Sequence, residues 1–154
     1  MKDVVNKLIN LNLTISTMES CTGGFLASSI TDIPDASKVF SFGAVTYSND
    51  YKEKFGVKKE LIDTYSVYSK EVALSMAKNI SLYTGSDIGV GITGKFNKKD
   101  ENNLYGNDNE VFIAIVNNKN KKEIVSSYFV SNNSRHENKE EIVNEVINLI
   151  SNIF

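Results

Sequence analysis

The sequence predicts an α/β fold, a three-layer α/β/α sandwich around a mixed β-sheet, and three observations lead there. Short β-branched runs alternate with helical patterns from the N-terminus to Thr93. Two further strand-like runs follow late, parted only by Asn117-Asn118-Lys119-Asn120-Lys121, which reads as a hairpin. A last amphipathic stretch then closes the chain. Parallel pairing early and a hairpin late make the sheet mixed, and helices must cover both of its faces.

The elements follow in order. Val4, Val5, Leu8, Ile9 and Leu11 recur at helical spacing. Thr14 to Met18 is short and β-branched, and reads as a strand; Phe25, Leu26, Ser29 and Ile30 give a helix over 25–31. Pro34, the single proline, ends that helix, because the residue before a proline leaves the α region. Val39 to Tyr47 reads as a strand, Ser48-Asn49-Asp50 as a turn and cap, and Tyr51 to Phe55 as a short helix closed by Gly56. Lys59 to Thr64 adds a turn or two. Ser69 caps a helix whose stripe is Val72, Ala73, Met76, Ala77, Ile80 and Tyr83, with Gly85 past its end. Asp87 to Thr93 reads as a central strand whose glycines imply close backbone or ligand contact. Lys95 to Asn109 is a polar loop, Val111–Val116 and Ile124–Val130 are strands, and Ile142, Val143, Val146, Ile147 and Ile150 mark the last helix.

Composition narrows the class. The chain has 154 residues, enough for one domain over 1–154 with a proper core. Its net charge of −2, with both signs interspersed, gives no basic face for nucleic acid. No apolar run approaches the roughly 20 residues of a spanning helix, and the N-terminus is not a signal peptide. A single cysteine forbids an internal disulfide and fits a reducing compartment, so the expected location is the cytoplasm, with no membrane partner.

The chemistry-bearing stretch is Thr17-Met18-Glu19-Ser20-Cys21-Thr22-Gly23-Gly24. Strand, two-glycine turn and helix place a nucleophile-capable side chain where the backbone is open to a ligand or an oxyanion. Ser20 and Cys21 are both candidates. A plain βα turn with Ser20 or Thr22 as helix cap explains the same residues.

Four blocks occur in order: Glu19-Ser20-Cys21-Thr22-Gly23-Gly24, then Gly43 to Lys52, then Ser69-Lys70-Glu71-Val72-Ala73, then Ile92-Thr93-Gly94. Together they resemble the C-terminal domain of the competence/damage-inducible CinA family, whose characterised activity is nicotinamide mononucleotide deamidation. The resemblance runs from about Leu8 to the last helix. It departs at Gly94-Lys95-Phe96-Asn97-Lys98-Lys99-Asp100-Glu101, where the family has a Gly-rich, Pro-containing loop, and at Asn107-Asp108-Asn109-Glu110 in place of Pro-Val-Gly-Thr.

An amide hydrolase without a metal needs a nucleophile, a base and an oxyanion site. One histidine and one cysteine give no metal-ligand cluster, so neither metal nor cofactor is expected. His136, the only histidine, reads as a solvated residue, which leaves a lysine as base. The resemblance implies Lys52, paired with Ser20; such a lysine must lose its proton well below the ordinary value of about 10.4. Tyr47 would aim its hydroxyl at the lysine or the oxyanion. Glu19, Thr22, Gly23, Gly24, Thr93 and Gly94 fall in the family's substrate-binding blocks, with the backbone amides near Thr22-Gly23-Gly24 holding the oxyanion. Arg135, the one arginine among 17 basic side chains, matches a family arginine and suits a phosphate. Cys21 has a structural place in the family. The implied ligand is a mononucleotide, and the resemblance together with the exposed hairpin points to a homo-oligomer. The altered loop supports an alternative: a mononucleotide-binding or interaction module without turnover, in which Lys95, Lys98 and Lys99 hold a phosphate or are simply solvated.

Overall fold

A computed structural model describes residues 1–96, 106–131 and 134–154. The elements are α1 (Lys2–Leu11), β1 (Ile15–Glu19), α2 (Phe25–Thr31), β2 (Phe40–Val45), α3 (Asn49–Lys54), α4 (Lys59–Tyr65), α5 (Lys70–Thr84), β3 (Ile88–Gly94), β4 (Glu110–Asn117), β5 (Lys122–Phe129) and α6 (Arg135–Ile150). A single 3₁₀ turn, Ala36–Lys38, precedes β2.

The sheet is mixed, in the order β2-β1-β3-β4-β5. β1 lies parallel to β2 on one side and to β3 on the other, while β3, β4 and β5 run antiparallel in turn. The hairpin forms as the sequence predicts: the Asn117 side-chain carbonyl accepts from the Lys119 amide at 3.0 Å and closes the turn.

Both faces are covered. On one, β-branched residues such as Ile88, Val90, Ile92, Ile113 and Ile115 meet Val5 and Leu8 of α1, Leu26 and Ile30 of α2, and Ile142 and Val146 of α6. On the other, Met18 and Ala44 meet Val72, Met76 and Ile80 of α5. Each large aliphatic side chain so buried contributes about 1.5–3 kcal/mol. The three-layer α/β/α architecture is therefore set by alternation along the strands and stripes along the helices.

Three local readings change. Tyr83 is 67% exposed and packs on Phe42 and Phe55 at the sheet edge, so the buried stripe of α5 takes Ser81 instead. α3 starts earlier than Tyr51, because the Ser48 hydroxyl accepts from the Tyr51 amide and makes Asn49 the first helical residue. The glycines of β3 answer to a helix rather than a ligand: a Cβ on Gly89 or Gly91 would collide with the carbonyls of Ala77 or Ala73, so α5 rides directly on the strand. Of the loop read over 95–109, residues 97–105, with Lys98 and Lys99, lie outside the described residues.

Candidate active site

Ser20 follows β1, an interior strand between β2 and β3. The Thr46 amide donates to the Glu19 carbonyl at 2.8 Å, and the Ser20 amide donates to the Ile92 carbonyl at 3.0 Å, so the nucleophile candidate is pinned to both neighbouring strand ends. From β1 the chain turns through α2 toward β2; from β3 it turns the opposite way, toward β4. Ser20 thus stands at the carboxyl ends of parallel strands where the connections diverge, the usual ligand crevice of open α/β sheets.

Lys52 reaches the same point from α3. Its Nζ is 3.1 Å from Ser20 Oγ, 2.7 Å from the Thr46 carbonyl and 3.5 Å from the Tyr47 carbonyl. Lys52 is 1% exposed and Ser20 5%. A buried lysine ammonium costs several kcal/mol in lost hydration, so a fold does not place one there by default. Two carbonyls and one hydroxyl fix the direction of the nitrogen toward Ser20.

The turn between β1 and α2 is held from beneath. Gly23 and Gly24 both have positive φ (62° and 91°), which glycine adopts without steric cost. The Gly23 amide closes the turn onto the Ser20 carbonyl at 3.0 Å. Glu19, 1% exposed, accepts from the amides of Gly24 and Leu26 at 3.1 Å each and of Ala27 at 2.8 Å. Neither Ser20 nor Thr22 caps α2; the N-cap is Gly24, and a carboxylate from the strand satisfies the open amides. The Gly23 and Gly24 amides are therefore already committed within the turn and are not available to an oxyanion. The Thr22 amide is not so engaged, and the Thr22 hydroxyl is buried without a hydrogen-bond partner.

Cys21 is buried in the core beside Ser20, and burial pushes its thiol up to about 12, so it stays protonated near neutral pH. A thiol held in that form is a poor nucleophile. Of the two candidates in this turn, Ser20 is the one that hydrogen-bonds Lys52 Nζ.

Other expected site residues take different places. The Tyr47 hydroxyl, expected to aim at the lysine or the oxyanion, accepts from Arg135 at 3.3 Å, and it is the Tyr47 carbonyl that approaches Lys52. Arg135, the first residue of α6, also donates to the Phe96 carbonyl at 3.2 Å and lies over the Phe96 ring. Thr93 is fully buried and its hydroxyl donates to the Val67 carbonyl at 2.9 Å. Gly94 leaves room for β4, since a Cβ there would stand 2.6 Å from the Glu110 carbonyl oxygen. His136 is exposed, edge-on to Phe25 and 3.5 Å from Glu140. Two lysines stand out: Lys95, expected to hold a phosphate or to be solvated, and Lys139, which carried no signal in the sequence. Lys95 is 5% exposed, donates to the Gly106 carbonyl at 3.1 Å and lies 3.6 Å from Asp108, so it ties the two ends of its loop. Lys139 places its ammonium over Gly23.

The family described as the CinA C-terminal domain matches residues 1–154. The chain belongs to that family. A relative from Caldanaerobacter subterraneus subsp. tengcongensis, provisionally named a competence-damage inducible protein, is 50% identical over 96 residues. That match covers 61% of this chain and 23% of the relative, so the chain corresponds to about a quarter of the relative's length. Among CinA-superfamily crystal structures, one from Klebsiella pneumoniae is similar with a TM-score of 0.88 at 22% identity, over 97% of this chain and 91% of that one; it speaks for the fold alone. The competence/damage inducible protein CihA from Agrobacterium tumefaciens gives a TM-score of 0.83 at 26% identity, over 97% and 94%. Among the described residues of this CinA domain, no helix is long and apolar enough to cross a membrane.

Proposed function

We propose that this CinA domain is an amidohydrolase that converts nicotinamide mononucleotide and water to nicotinate mononucleotide and ammonia. The reading rests on the 3.1 Å approach of Lys52 Nζ to Ser20 Oγ in a buried setting, and family membership supports the same reaction class.

Removal from water disfavours an ammonium relative to an amine, and a general base must be neutral to accept a proton. As the amine, Lys52 keeps the Thr46 carbonyl as acceptor and receives the Ser20 hydroxyl proton. Ser20 Oγ then attacks the carboxamide carbon, and the Thr22 amide meets the oxyanion. Collapse breaks the carbon–nitrogen bond while Lys52 gives its proton to the departing ammonia. A water next attacks the acyl ester, its proton passing to Lys52 and then to Ser20 Oγ as the acid leaves. Arg135, backed by Tyr47 and Phe96, holds the phosphate of the nucleotide.

The test is ammonia release from nicotinamide mononucleotide by folded protein, with Ser20→Ala as control. No release above that control overturns the reading. A second reading, a mononucleotide-binding module without turnover, is favoured by Lys95 closing its loop onto Gly106 and Asp108 in place of the family's Gly-Pro element. Binding of the mononucleotide without ammonia release would establish it.

A further inference from the structure

Arg135 and Lys139 stand four residues apart on α6, so their side chains leave the same side of the helix. Lys139 is half-buried, and its Nζ lies 3.4 Å from the position a Cβ would take on Gly23; nothing else beyond the adjoining chain comes within 4 Å of that position. Arg135 covers the other flank through Tyr47 and Phe96, close enough for its charge to act on Cys21. The acidic neighbours on α6 face elsewhere. Glu137 accepts from the Ser134 amide, Glu140 sits beside His136, and Glu141 accepts from Ser131. Among the described residues, neither Arg135 nor Lys139 lies within ion-pair distance of a carboxylate.

We propose that Lys139 joins Arg135 in a subsite for the phosphomonoester of the substrate, above the open side of Gly23. Two cations without a carboxylate in ion-pair range among the described residues favour a group carrying close to two negative charges over a single carboxylate. Arg135 supplies a planar fork and Lys139 a point charge, so one fixes orientation and the other adds attraction. The glycine keeps the approach clear. Nucleotide and nucleoside amides are then distinguished at α6 rather than by the Ser20–Lys52 pair. For its substrate the proposal rests on the amidase reading, but anion binding is measurable without it.

The experiment compares the full chain with Lys139→Met, which keeps the apolar stem, and Lys139→Arg. Calorimetry with nicotinate mononucleotide is expected to show affinity weakened about tenfold or more in Lys139→Met and largely restored in Lys139→Arg. In turnover, the preference for nicotinamide mononucleotide over its riboside should fall by a similar factor, through KM rather than kcat. Unchanged affinity and unchanged preference in Lys139→Met, with the wild-type melting temperature, would overturn the subsite and leave the amidase standing. Mononucleotide binding without turnover, weakened in Lys139→Met, supports the subsite and removes the amidase. No mononucleotide binding by the wild type overturns the subsite whatever amide it cleaves.

Discussion

The Glu19 carboxylate lies 2.8 Å from the Ala27 amide, so the last residue of β1 caps the helix that follows the nucleophile turn. With Gly24 and Leu26 it serves three amides while being itself almost fully buried. Glu19→Gln puts an NH₂ group against one of these donors. The variant is expected to lose about 1–3 kcal/mol in urea unfolding and at least tenfold in kcat, with KM little changed. A wild-type kcat would show that the turn holds Ser20 without it.

Lys52→Arg keeps the charge but cannot release the proton, and the larger head does not fit a site only 1% exposed. Turnover should vanish and stability fall by about 2 kcal/mol. Because nucleophile and base act as one unit, Ser20→Ala should lose as much activity as Ser20→Ala with Lys52→Arg. Ammonia release and urea midpoints read both outcomes.

The pH dependence of kcat/KM should show one rising limb, since only neutral Lys52 accepts the serine proton. In the proposed mechanism His136, exposed and 3.5 Å from Glu140, takes no part, so His136→Ala should leave the limb in place. A limb that disappears with His136 would transfer the base role to it.

Cys21 predicts a stability change at high pH. Its thiol is at about 12 in the fold against an ordinary 9.0, raised by burial. Between those values the folded state keeps a proton that the unfolded chain gives up. The contribution is therefore full below pH 9 and shrinks as pH rises toward 12, by roughly 1.4 kcal/mol per unit. Urea unfolding of wild type and Cys21→Ala at about pH 8 and about pH 10.5 should show their difference narrowing by about 2 kcal/mol. Cys21→Ser should retain most turnover.

Gly91→Ala should destabilise by about 2 kcal/mol or more, because the added methyl meets the Ala73 backbone, which cannot step aside without moving α5. A urea midpoint within error of wild type would show that the helix yields.

Much of the architecture was legible because it follows from local pattern: alternating β-branched strands, the Ser69 cap, Gly85, and the asparagine-rich hairpin. Ser20 and Lys52 were legible as a pair through the resemblance, and their 3.1 Å separation is the structure's own addition. What could not be read is whatever depends on which elements meet. Glu19 resembles a ligand-binding acid until α2 is seen resting on it. Gly89 and Gly91 read equally as close backbone or ligand contact until α5 arrives, and Gly94, substrate-binding by the resemblance, makes room for β4. Lys95 and Lys139 look like two more solvated lysines in a lysine-rich chain, because burial beside a distant glycine or loop end leaves no local trace.

The interior position of β1 has a consequence for biosynthesis. Ser20 and Lys52 both precede β3 in the chain, yet Ser20 is anchored on Ile92, and the strand that carries it lies between β2 and β3. A nascent chain holding only the early residues has the dyad's side chains but lacks one wall of their groove. Ser20 becomes fixed after β3 has left the ribosome and paired with β1, and the α6 cations follow β3. The Ser20–Lys52 arrangement is thus completed by residues made well after its own two side chains.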